Sequence, residues 1–403
     1  MIRYITAGES HGKSLSAIIE GFPSNLKIDI DIVNNELKRR QGGYGRGGRM
    51  KIESDEAEIL SGLRFGKTLG TPISLLVRNN DWENWTEKMP SFGKPVRGME
   101  KISIPRPGHA DLVGASKYNF NDIRNSIERS SARETAARVA VGAFAKQLLS
   151  IFGIGVTSFV ESIGGIYPED NLYEKILAKG NITFEEFEAF EVVSNASQVG
   201  VLRAKQEEKI IRKIKRAKKS GDTLGGTCVI IADNLPVGLG SFVHYERRMD
   251  TVISKNVMSI NALKGIEFGL GFRLSDRPGS SVHDEIIKVD SGYSRATNFA
   301  GGMEGGISNG MPLVIRVAMK PIATLMQPLR SVDLKTGKTV DARRERSDTV
   351  AVPACRVVAE AMLAWSIAEL ITEKFGGDSI EEMQDNYNNY TRKINNRLRR
   401  NFK

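Results

Sequence analysis

The apolar pattern of this chain switches between a period of two and a period of roughly 3.6, with no regular alternation of strand and helix. That irregular order limits the possible folds more than any other feature. A doubly wound parallel sheet or a TIM barrel needs a steady β-α-β-α succession, so an α+β fold of layered elements is expected instead. Strand-like runs lie at Ile2–Thr6, Leu15–Glu20, Met50–Ser54, Ile73–Arg78, Gly226–Asp233, Val282–Val289 and Leu313–Val317. Helix-like runs cover 29–40, with Asp31 placed to cap, then 127–152, 202–220 and 353–374. Residues 79–111 show no pattern. A patternless stretch of that length is a working loop or disorder, and Trp82 and Trp85 favour the loop. No linker divides the 403 residues, so one domain over 1–375 with a polar helical tail over 376–403 is expected.

Forty glycines exceed what connecting loops need. The net charge of +10 attracts anions: nucleic acid, acidic membranes or phosphorylated small molecules. One basic cluster, Arg39-Arg40-Gln-Gly-Gly-Tyr-Gly-Arg46-Gly-Gly-Arg49, is interleaved with glycine. Its backbone N–H groups and guanidiniums suit phosphate or carboxylate. It matches neither Walker A nor the Rossmann spacing. An RGG-like RNA-binding segment is the competing reading, and the single interleaved aromatic, Tyr44, weighs against it. Lysines and arginines over 202–220 read as a solvated helix face. Cys228 and Cys355 sit in apolar runs and read as core thiols of a reducing compartment. The N-terminus lacks an apolar signal core and no run reaches membrane-spanning length, so a cytoplasmic protein with no membrane partner is expected.

Of four histidines, His11 and His109 lie in glycine-flanked polar turns, where a proton carrier can meet a ligand. His244 and His283 lie in strand-like contexts and read as ordinary residues. Arg129 to Thr135 opens the long helix, as an anion site or as simple capping. The glycine-rich run 301–310 suits a flat or bulky ligand. In 343–348, three arginines surround carboxylates, as a general base held ionised or as a surface ion-pair cluster. These residues together describe an enzyme for polyanionic small molecules, with two histidines and an aspartate to move protons. The reaction stays open at this point.

Three stretches, Gly8-Glu-Ser-His11-Gly12, Glu128-Arg-Ser-Ser-Ala-Arg133-Glu-Thr135 and Arg346-Ser-Asp348, closely resemble the signature regions of the chorismate synthase family. So do the Arg39–Arg46 loop, Pro105–Asp111, Ser259–Glu267 and Lys320–Thr324, in order over roughly 1–375. The resemblance implies a β-α-β sandwich with helices between antiparallel sheets, assembled as a homotetramer. It implies a lyase that eliminates phosphate from 5-enolpyruvylshikimate 3-phosphate and needs reduced FMN (FMNH2) without net redox change. By motif, His109 would protonate the departing phosphate, His11 would support the reduced flavin's charge, and Asp348 would sit near flavin N5. FMN contacts would fall at Arg129, Ser130, Ser131, Asn261, Ala262, Gly305, Lys320, Pro321, Ile322, Ala323, Thr324 and Arg346. Arg40 and Arg46 match positions the family gives to a nicotinamide nucleotide, and charge gives them equally to the substrate. Arg49, Arg106 and Arg133 are further candidates for that polyanion. Loss of Arg40 or Arg46 is expected to weaken binding and leave the fold intact. No dinucleotide site stands out beyond these two arginines, so an external flavin reductase is expected, with NADPH as indirect reductant. A nucleic-acid-binding protein and an ordinary flavin oxidoreductase are the rival readings.

Overall fold

The computed structural model describes residues 2–47, 54–290, 292–345 and 347–399. The fold is mixed α/β, with two four-stranded antiparallel sheets. The first runs Arg3–Gly8, Ser14–Glu20, Ile73–Arg78, Ala57–Ser61 in spatial order. Its register sets Leu15 against Val77, Ala17 against Leu75 and Ile19 against Ile73. All six are buried, so alternation gives this sheet one apolar face. The second runs Gly155–Ile163, Gly226–Asp233, Leu313–Met319, Leu263–Phe268. Here Cys228, Ile230 and Ala232 face the main core, while Val229 and Ile231 join a second cluster with Tyr173 and Leu177. Both faces are therefore covered, and the strands read as continuous apolar runs.

Between the sheets lie two long helices. The N-terminal helices are α1 (Ile30–Gln41), α2 (Asp111–Lys117), α3 (Arg124–Ser130) and α4 (Thr135–Ser150). Then come α5 (Leu172–Lys179), α6 (Phe184–Ala196), α7 (Ala204–Ser220), α8 (Met249–Val257), α9 (Val352–Phe375) and α10 (Ile380–Arg399). α4 packs on the first sheet and on α9, and α9 packs on the second sheet. Small residues make this possible. A Cβ at Gly142 of α4 would lie 2.4 Å from the Ala361 Cβ of α9.

Charge is buried in this layer too. Glu360 of α9 receives Arg39 of α1 through two bonds of 2.8 and 3.0 Å, and also Lys146 of α4 and the Ser158 hydroxyl. Burial alone would raise its carboxyl, but Lys146 and Arg39 hold it well below the usual carboxylate range.

Several expectations change. The helix expected over 127–152 is broken: Ser131 is extended at φ −63°, ψ 140°, and a short 3₁₀ turn, Ala132–Glu134, precedes α4. The Ser131 hydroxyl accepts from the Arg133 N–H at 3.3 Å, and this local bond competes with helix continuation. Asp29, not Asp31, caps α1, accepting from the Asp31 N–H at 2.9 Å. The strand expected over 282–289 shortens to Ile286–Val289, because a 3₁₀ turn occupies Gly279–Ser281 and leaves His283 outside. His244 flanks another such turn, Tyr245–Arg247, and lies in no strand. The strand expected at 50–54 falls mostly outside the described residues, and Ala57–Ser61 supplies the edge of the first sheet. The lysines and arginines of α7 are exposed while Ile210 and Ile214 are buried, as the pattern implied. Cys228 and Cys355 are buried and unbridged. α10 docks through Ile380 and Met383 in the main core.

Glu360→Gln tests the buried charge. It leaves Arg39 and Lys146 without their carboxylate and should cost roughly 3–5 kcal/mol in urea unfolding at pH 7. The Glu360 carboxyl is depressed in the folded state, so its contribution is present above about pH 5 and fades as pH falls. The Gln variant should therefore lose part of the acid limb of the stability curve. An unchanged midpoint at pH 7 would contradict this reading.

Candidate active site

The first strand ends at Gly8, whose φ is +106° and whose added Cβ would lie 2.4 Å from the Ser14 carbonyl oxygen. Only glycine turns the chain there. The following turn folds onto α3. Glu128 accepts from the His11 N–H at 2.8 Å and lies 3.0 Å from His11 Nδ1, while Ser10 N–H donates to the Glu128 carbonyl. The Glu128 side chain is buried. Burial works against its charge, but the bond from His11 holds the carboxyl below its ordinary value. The Asn79 side-chain amide spans the same turn, donating to the carbonyls of Glu9 and Gly12 at 3.1 and 2.7 Å.

His109 is held in the same way. Its Nδ1 lies 2.5 Å from Asp111 Oδ1 at the start of α2. A carboxylate only accepts, so Nδ1 carries a proton and Nε2 remains for chemistry. Arg106 clamps Asp111 through Nε at 2.9 Å and Nη2 at 3.0 Å. Its Nη1 reaches Thr324 Oγ1 at 2.9 Å and Glu345 at 3.2 Å. Burial would raise the Asp111 carboxyl, but hydrogen bonds from His109 and Arg106 outweigh it and keep it well below the usual range. Lys320 Nζ donates to the Gly108 carbonyl, and its backbone N–H donates to Ala262 at 3.0 Å. The Asn261 amide donates to the Ser130 carbonyl at 3.0 Å, and Ser131 Oγ lies 3.1 Å from Ser10 Oγ. Ser130, Ser131, Asn261, Ala262, Lys320, Thr324 and both histidine loops therefore form one connected network. Arg129 donates to the Thr6 carbonyl at 3.0 Å beside it, and the Ile322 carbonyl accepts from Thr223 at 2.7 Å. Pro321 is exposed, Ala323 half-buried. Gly305 sits at a hairpin tip with no atom within 4 Å of an added Cβ, and nothing among the described residues links it to this network.

The arginines divide. Arg40 and Arg133 are each 4% exposed and share one buried carboxylate, Asp55, at 3.3 and 2.5 Å. Arg40 also donates to Thr135 Oγ1 and the Ala132 carbonyl, and Arg133 to Asn79 and the Arg78 carbonyl. Burial, with Arg133 and Arg46 nearby, lowers the Arg40 guanidinium to about 10, so it stays cationic at neutral pH. Arg46 instead pairs with Asp348 at 3.1 Å, whose other oxygen accepts from the Gly47 N–H at 2.5 Å. The loop lies flush on this segment: an added Cβ at Gly45, φ +93°, would meet Val350 at 2.7 Å. Arg49 and Arg346 lie outside the described residues. The sequence reading gave no role to the carboxylate partners Glu128, Asp111 and Asp55, although Glu128 and Asp111 lie inside quoted motifs, and it met Glu345 only within the arginine-rich cluster 343–348.

Two carboxylate-held histidines in a network rich in cations are the features of an enzyme site. The family model for chorismate synthase matches residues 2–372. The chorismate synthase of Aquifex aeolicus is 51% identical over 394 residues, covering 98% of each chain. That of Geobacter sulfurreducens is 51% identical over 398 residues, covering 97% of this chain and 98% of its own. A crystal structure of chorismate synthase superposes with a TM-score of 0.79 at 43% identity, over 98% of each chain. The chain belongs to the chorismate synthase family.

Burial separates the two loop arginines. Arg40→Ala and Asp55→Asn each break a buried ion pair and should cost roughly 3–5 kcal/mol in thermal or urea unfolding. Arg46→Ala breaks a part-buried pair, with side chains 11% and 21% exposed, so it should cost less than Arg40→Ala and act on kinetics. Equal stability of all three variants would show that Asp55 does not hold the site together. The expectation that Arg40 is dispensable to the fold is thus replaced.

Proposed function

We propose that the chain catalyses the 1,4-anti-elimination of phosphate from 5-enolpyruvylshikimate 3-phosphate, giving chorismate. This is the final common step of the shikimate pathway towards the aromatic amino acids. The observation that carries it is the His109–Asp111–Arg106 cluster, inside a chain matched to the family over nearly its whole length. A departing phosphate needs its charge neutralised as the C–O bond breaks. His109, with its Nδ1–H fixed by Asp111, gives the phosphate a proton from a protonated Nε2. Arg106 and Lys320 hold positive charge beside it. The substrate carries two carboxylates and a phosphate. Arg40 and Arg133 set two guanidiniums around Asp55 beside this cluster. The burial of Arg40 supports a role in shaping the wall of the site over direct contact with a nicotinamide nucleotide.

The residues present fit FMN. Ala262 is held left-handed at φ +67°, a strained conformation for a residue with a side chain, and such strain gathers at ligand sites. Arg129 and Lys320 offer cations for a phosphate, and Ser130, Ser131 and Thr324 offer hydroxyls. When bound, reduced FMN supplies electron density to the allylic system with no net redox change. His11, fixed by Glu128, supports that negative charge. Asp348, fixed by Arg46 and the Gly47 N–H, receives the role of guiding the C6 hydrogen away.

The remaining features are part of the same reading. The two sheets with α4 and α9 between them form a β-α-β sandwich, the unit of a homotetramer. A separate reductase supplies the reduced flavin in the cytoplasm, with NADPH as indirect reductant. No helix among the described residues is long and apolar enough to cross a membrane.

His109→Ala should lower kcat by roughly 10²–10⁴-fold while FMN still binds. Asp348→Asn should also lower kcat, with a larger isotope effect from deuterium at C6 than in His109→Ala, because the two variants slow different steps. Near-normal kcat in both, or the opposite ranking, would overturn these roles.

A further inference from the structure

Trp85 belongs to none of the three apolar clusters, although it is half-buried. Its burial is against His11. The two rings stack with centroids 3.9 Å apart and planes 24° apart. The indole is itself fixed: its N–H donates to Asp81 at 2.9 Å, and Asp81 accepts from Asn84 at 2.8 Å. Arg124 of α3 lies over the same indole at 5.0 Å and also donates to Glu128 at 3.2 Å. Lys88 lies over the ring at 5.1 Å. Asn79, at the root of the loop, is tied to the His11 turn. Trp85, Arg124, Glu128 and His11 thus close a ring of contacts.

Each contact removes one freedom of the imidazole. Glu128 fixes Nδ1 and the rotation within the ring plane. The indole fixes the plane itself, and a flat aromatic face does this at little entropic cost. With both in place, His11 Nε2 has a single direction.

We propose that Trp85 is a positioning residue for the reaction, acting through His11. This rests on the role given to His11 above. The loop over 79–111 then carries a part of the site, which explains a half-buried tryptophan outside the apolar clusters.

A double-mutant cycle on the full chain, assayed with pre-reduced FMN, tests it. Trp85→Leu keeps apolar bulk and loses the flat face; it should lower kcat roughly tenfold with substrate KM within about twofold. Trp85→Phe restores a flat face and should recover most of that loss. In a His11→Asn background, Trp85→Leu should cause no further loss, because the residue it positions is gone. Additive losses in the cycle, failure of Phe to rescue, or unchanged kcat in Trp85→Leu would overturn the proposal. Full activity of His11→Asn alone would overturn the role of His11, a separate outcome.

Discussion

The carboxylate of Asp55, buried between the guanidiniums of Arg40 and Arg133, is the contact on which the site depends. Arg40 brings the end of α1, and with it the glycine loop that carries Arg46. Arg133 brings the start of α4, and through Asn79 it reaches the turn that carries His11. Two charges at 4 Å interact by about 4 kcal/mol at an effective dielectric near 20. Thr135, the Ala132 carbonyl, Asn79 and the Arg78 carbonyl hold the two guanidiniums from their other sides.

Rigid layers stand behind this network. The close approach of Gly142 to Ala361 lets α4 and α9 act as one slab between the sheets. Glu360 then joins α1, α4, α9 and the strand carrying Ser158 through one buried carboxylate. Each histidine loop ends on a short helix of this frame: His11 on α3 through Glu128, and His109 on α2 through Asp111. The two histidines therefore sit on loops, but a carboxylate from a helix sets the direction of each ring.

Much of this was legible in the sequence, and the failures have physical causes. The strand Gly226–Asp233 and the long helix α9 are continuous, largely apolar runs, so their bounds come out nearly right. The break at Ser131 does not, because it depends on a hydroxyl competing for one backbone N–H inside a run of good helix formers. The histidines stood out through their glycine-flanked turns. Their carboxylate partners did not: Glu128 lies 117 residues from His11, and no local pattern links them. Arg40 looked like a free grip because its loop is rich in glycine, and only the fold shows it buried beneath Asp55. Trp85 was visible as an aromatic in a patternless loop, but its stack on His11 was not.

Phosphate release and chorismate absorbance, followed together under anaerobic conditions with pre-reduced FMN and 5-enolpyruvylshikimate 3-phosphate, test the assigned reaction most directly. One phosphate should appear per chorismate, with the flavin still reduced at the end. Phosphate without chorismate, or flavin oxidised in proportion to product, would contradict it.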